Sequence, residues 1–168
     1  AGFTSEPKEK GIYNRQPIKS SQLLDKKTII DIVLKGLMLF TAVIGIYFWA
    51  LANNLPIEIS RTLAFSTWII SHILLAFASR SDKETVFSLG IFTNKVMNYW
   101  AILAIIFLII ATQVPTLAMR FNMVNIDLIL LIYPLIASLI VLIPLIIKKF
   151  FDSNKTKVVL EDMAITNS

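Results

Sequence analysis

Residues 32–52 read IVLKGLMLFTAVIGIYFWALA, a run in which Lys35 is the sole charge. A helix rises 1.5 Å per residue, so about 20 residues of this kind cross a hydrocarbon core of roughly 30 Å. Lys35 lies three residues from the start of the run, where its stem can carry the ammonium back to the headgroups. Three further runs, at 62–78, 96–112 and 126–147, share this character, and the four together take up nearly half of the 168 residues. Three of the runs are only 17 to 21 residues long, so Arg61, Ser79 and Tyr99 at their edges are expected to complete the crossing by snorkelling. The sequence thus predicts an all-α membrane protein with four antiparallel transmembrane helices and short loops.

Composition agrees. A hydrophobic share of 56% with only 16% charged residues departs from the soluble average, which has about a quarter charged. Cysteine is absent, which excludes disulfides, a thiol nucleophile and thiolate metal sites. The chain begins Ala1-Gly2-Phe3 and opens with polar, charged residues that lack the apolar core of a signal peptide, as expected of a processed product or a piece of something longer.

A net charge of +5 could indicate nucleic acid, so the placement of the charge decides. Lys8, Lys10, Arg15, Lys19, Lys26, Lys27 and Lys35 precede or open the first span; Arg61 alone follows it. Arg80, Lys83 and Lys95 lie in the middle loop, Arg120 alone in the third, and Lys148, Lys149, Lys155 and Lys157 after the last span. Counts of 7, 1, 3, 1 and 4 are what the positive-inside rule yields when both termini and the middle loop are cytoplasmic. The partner implied is the lipid bilayer, with no nucleic acid.

Three parts follow: a polar cytoplasmic segment at 1–21, a four-helix transmembrane domain at 22–151 and a cytoplasmic tail at 152–168. Ser20-Ser21 can cap a first helix starting near Gln22 that runs through Asp31 and Lys35, an acid–base pair one turn apart. Asn53-Asn54-Leu55-Pro56 breaks it, and the second helix is expected to open near Arg61-Thr62. Ser81-Asp82-Lys83-Glu84 has the spacing of a capping box in the middle loop. Pro115 is expected to close the third helix, and Asn125 or Asp127 to cap the fourth. Small residues mark two packing faces: Thr41 with Gly45 in the first helix, and Ala64, Thr67, Ser71 and Ala78 along the second.

Chemistry needs ionisable groups that converge, and between the interfaces the chain offers His72 by itself. No carboxylate or lysine at matching depth completes an acid–base pair, and no glycine-rich phosphate loop is present, so no catalytic residue and no cofactor site is expected. An ionisable residue inside a span is costly and is a functional candidate on that ground. The plainer alternative is that a neutral His72 bonds a neighbouring helix and only fixes packing.

The order of landmarks resembles the carboxy-terminal membrane domain of P-type cation-transporting ATPases, calcium pumps included. The resemblance rests on Arg61-Thr62-Leu63-Ala64-Phe65-Ser66 opening a helix, Ala78-Ser79-Arg80-Ser81 closing it, and Val86-Phe87-Ser88-Leu89-Gly90-Ile91-Phe92-Thr93-Asn94-Lys95 beyond. Glu6-Pro7, Asn14-Arg15-Gln16-Pro17, Val114-Pro115 and Lys148-Lys149-Phe150-Phe151 extend it over about residues 3–151. It implies that the spans are helices seven to ten of a ten-helix pump, a static buttress for the moving helices. The phosphorylated Asp-Lys-Thr-Gly-Thr motif is absent here. ATP and magnesium would therefore act elsewhere in the pump, and the chain alone would be inactive. The implied partners are the remaining helices, the cytoplasmic domains and the transported cation. His72 falls where calcium pumps of the reticulum type place a glutamate ligand, and a nitrogen donor suits calcium poorly. His72 would thus line the ion pathway as a metal-facing residue without being a principal ligand. The rival reading is a free-standing four-helix scaffold or accessory subunit; a membrane enzyme comes third.

Overall fold

The computed structural model describes residues 26–80, 90, 92–140, 142–145 and 147. Every regular element among them is helical: α1 (Lys26–Ala52), α2 (Ile57–Ala78), α3 (Lys95–Gln113), the short α4 (Pro115–Arg120) and α5 (Leu128–Leu145), whose first turn, Leu128–Leu131, is a 3-10 helix. Four of these, α1, α2, α3 and α5, are long and apolar enough to cross a membrane. Helix is the expected state although β-branched residues abound, because in lipid a helix satisfies its backbone groups within one segment. The protein is a multi-pass integral membrane protein.

The ends of the helices follow from local chemistry. α1 stops where Asn53 closes its last turn and Asn54 takes a left-handed backbone, φ 58°, which asparagine tolerates better than most residues. Pro56 then starts α2 at once. This moves the beginning of α2 from the expected Arg61-Thr62 back to Ile57, since proline at the N-cap loses no hydrogen bond there. Asn94 caps α3, its side-chain oxygen accepting from the Met97 amide at 3.0 Å. Pro115 ends α3 and also opens α4 as its first residue, a helix where the sequence predicts only a loop. Asp127 caps α5 by accepting from the Ile129 amide at 3.1 Å, whereas Asn125 donates its side-chain amide to the Gln113 carbonyl at 2.8 Å. The expected start of the first helix near Gln22 and the Ser81–Glu84 capping box fall outside the described residues.

Helix α2 is the centre of the packing, sharing interfaces with α1, α3 and the first turn of α5. Lipid tails are as apolar as leucine, so burial supplies little of the attraction between helices; close approach and interhelical hydrogen bonds supply it. Accordingly the buried positions of α2 are mostly small or hydroxylated: Ser60, Thr62, Ser66, Thr67, Ser71 and Ala78. Leu63 joins Ile46 and Ala50 of α1 and Ile126 in one cluster, with Ala64 packed beside it. Ala78 joins Leu142 and Leu145 of α5 in a second, while Ala111, Ala118 and Met123 form a third against Phe65.

Both ends of the bundle are laced by polar contacts. Thr62 Oγ1 accepts from the Val124 amide at 3.2 Å, and Gln113 donates to the Ile126 carbonyl at 2.9 Å. At the other end Arg80, which the sequence places in the middle loop, is buried. Its Nη1 donates to the Gly90 carbonyl at 2.9 Å and its Nη2 to Thr93 Oγ1 at 2.7 Å. Gly90 adopts φ +80°, which favours glycine, and a Cβ there would stand 3.0 Å from the Thr93 methyl, a close approach that Thr93 would have to yield to.

Candidate functional site

His72 lies four residues after Trp68, on one side of α2, and the two side chains form a unit. The ring centroids are 5.0 Å apart at an interplanar angle of 72°, an edge-to-face contact. His72 Nδ1 is 3.0 Å from the Trp68 carbonyl oxygen. A carbonyl only accepts, so Nδ1 carries the proton, and in the neutral ring Nε2 is left as a bare acceptor. Phe65 continues the row, with ring centroids 6.0 Å from Trp68, 6.3 Å from Phe107 and 6.1 Å from Phe121.

Both His72 and Trp68 are exposed. The imidazole points away from the other described helices, and no group of three or more histidine, cysteine, aspartate or glutamate side chains converges among the described residues. Among the described residues His72 has no such set around it, and it offers a single ring nitrogen at the surface of α2.

The packing residues divide into two sets. Thr67, Ser71 and Ala78 are buried, and Ala64 half-buried, on the inner side of α2. There Ser71 Oγ donates to Ser138 Oγ of α5 at 2.8 Å, and Ser138 Oγ donates to the Pro134 carbonyl at 2.7 Å. Interhelical bonds of this kind in membranes contribute about 0.6 kcal/mol each. Thr41 and Gly45 are exposed instead. They line a groove of about 350 Å³ between α1 and α5, whose far wall is Tyr133, Ile136, Ala137 and Ile140. Trp49 and Tyr133 meet across it with ring centroids 4.8 Å apart. A Cβ built on Gly45 would meet nothing within 4 Å, so no contact among the described residues requires glycine there.

The sequence reading missed Trp68 and Tyr133. Trp68 was available from its spacing of one turn before His72; Tyr133 had no such signal, because its partner Trp49 is far away in the chain.

Comparison with known proteins now defines the class. The chain matches the family described as "Cation transporting ATPase, C-terminus" over residues 1–151, and it belongs to that family. It is 29% identical over 127 residues to "Probable cation-transporting ATPase F" of Mycobacterium tuberculosis, covering 73% of this chain and 14% of that protein. It is 23% identical over 146 residues to "Calcium-transporting ATPase type 2C member 1" of Mus musculus, covering 86% of this chain and 16% of that protein. The chain thus spans about one seventh of the length of the curated relatives it matches.

Proposed function

We propose that this chain is the carboxy-terminal buttress of an ATP-driven pump for calcium or another cation, holding the helices that carry the ion. The observation that carries the reading is the outward placement of His72: in a chain belonging to this family, the one mid-span ionisable group faces away from its own bundle. Its Nε2 is then free to address the ion pathway, which the preceding helices of the pump would complete. Nucleotide, magnesium and the phosphorylated aspartate belong to the rest of the pump, and the chain by itself turns over no ATP.

The role of His72 follows from its chemistry. A neutral imidazole provides one nitrogen and no charge, whereas calcium takes six to eight oxygen ligands, several of them carboxylates. His72 therefore tunes the pathway without replacing an acidic ligand, and the cation identity turns on the oxygen ligands contributed by other helices. The orientation that goes with this reading has both termini and the loop 79–96 on the cytoplasmic side.

The experiment replaces His72 by Gln, Glu and Leu in the full-length pump and measures apparent cation affinity, ions moved per ATP and protein yield. A changed affinity or stoichiometry for Glu relative to Gln supports the pathway role. Unchanged transport for all three refutes it, and a loss of yield alone assigns His72 to packing.

A further inference from the structure

Trp68 sits at the middle of α2, yet 43% of it is exposed. Tryptophan on the surface of a spanning helix ordinarily collects at the membrane–water interface, where its N–H meets water. A mid-span position needs another reason, and the ring contacts supply one. The indole stands edge-to-face with the His72 ring at 5.0 Å and 72°, and it also meets Phe65 at 6.0 Å. Phe65 is in turn held by Phe107 of α3 and by Phe121 beyond α4. The row thus braces the indole against two other parts of the fold.

Side chains of a helix lean toward its N-terminus, which brings the His72 ring back over the turn that starts at Trp68. There the Trp68 carbonyl, 3.0 Å from Nδ1, accepts from that nitrogen and leaves Nε2 of the neutral ring without a proton. The same carbonyl already accepts from the backbone amide one turn on, so the bond to the ring is a weak restraint by itself. A ring that swings off the carbonyl loses this bias. A free histidine ring favours the proton on Nε2, which would turn the outer nitrogen into a donor that repels cations. We infer, resting on the pathway reading above, that Trp68 is a positioning residue: its indole keeps the His72 ring seated on the carbonyl, so that Nε2 meets the ion pathway as an acceptor. Any residue at this position supplies a carbonyl, whereas only an aromatic one supplies the edge-to-face contact, so the role belongs to the side chain.

The test uses the full-length pump that carries this chain, reconstituted in membranes with nitrogen-labelled histidine and studied by solid-state NMR. The His72 resonances are those missing from His72→Gln. The unaltered pump is expected to show a protonated Nδ1 and a bare Nε2. Trp68→Leu moves the proton toward Nε2, and Trp68→Phe, which keeps an aromatic ring, retains the parent pattern. An unchanged pattern in folded Trp68→Leu overturns the proposal; Trp68→Met serves if the leucine variant does not accumulate. In calcium activation of ATP hydrolysis, Trp68→Leu is expected to weaken the apparent affinity about two- to tenfold, the effect of one aromatic pair when only the seated ring is competent. The same loss in the His72→Gln background also overturns the proposal, since Trp68 would then act without His72. If His72→Gln activates like the parent, the pathway reading fails instead, and the resonances still decide for or against the seating of the ring.

Discussion

Thr93 Oγ1 lies 2.7 Å from the buried guanidinium of Arg80, accepting a hydrogen bond from Nη2 and passing one on to the Gly90 carbonyl at 2.8 Å. The end of α2 and the start of α3 are thus fastened at one point. Replacing Arg80 by Met removes both of its bonds, to the Gly90 carbonyl and to Thr93 Oγ1, and bonds to a charged donor contribute about 1.5–3 kcal/mol. Arg80→Met is expected to lower the thermal midpoint in detergent clearly, Arg80→Lys about half as much. An unchanged midpoint for Arg80→Met would show that the clasp contributes nothing.

The left-handed residues Asn54 and Asn122, at φ 58° and 52°, give a second expectation. Alanine in that conformation costs about 1–2 kcal/mol, and glycine adopts it freely. Asn54→Ala and Asn122→Ala should each destabilise in chemical denaturation, while the glycine variants stay near the parent. Equal values for alanine and glycine would contradict the backbone argument.

Gly45 separates folding of the chain from its assembly. Since a Cβ there meets nothing within 4 Å among the described residues and opens onto the groove, Gly45→Leu should leave membrane insertion and the yield of the fragment unchanged. In the full-length pump the same substitution would fill the groove and reduce the fraction that elutes as an assembled particle in gel filtration. Undisturbed assembly would remove the groove as a docking face.

Topology is open to cysteine labelling, because the chain has no native thiol. Asn54 and Asn122 are poor sites on account of their backbone, so the probes belong at Asn53 and at the well-exposed Met119. Both should react with an impermeant reagent from outside, and a cysteine replacing Asp82 from inside. The reverse pattern would invert the orientation given by the lysines and arginines.

The spans were legible because the bilayer sets their length, and apolar runs such as 32–52 meet it without help from tertiary structure. The turns were less so. Pro56 and Pro115 were read as breaks, yet each also begins a helix, since a proline loses nothing in a first turn. Arg80 reads only as a middle-loop charge in the sequence because nothing local shows that Gly90 and Thr93 fold back onto it. His72 was recognisable as the one mid-span ionisable residue, but its direction was not: the side of α2 it occupies depends on which faces α1, α3 and α5 cover. The two faces of small residues look alike in sequence, yet Thr67, Ser71 and Ala78 meet α5, whereas Thr41 and Gly45 border a groove.

The tight turn between α1 and α2 bears on how the protein is made. Four residues, 53–56, separate two spans. Of their polar side chains, the Asn53 amide already donates to the Trp49 carbonyl at 2.8 Å. A hairpin this closely joined, and cemented by Ile46, Ala50 and Leu63 just below its tip, can enter the bilayer as one body during synthesis. The translocation machinery then has little hydrophilic mass to drag across.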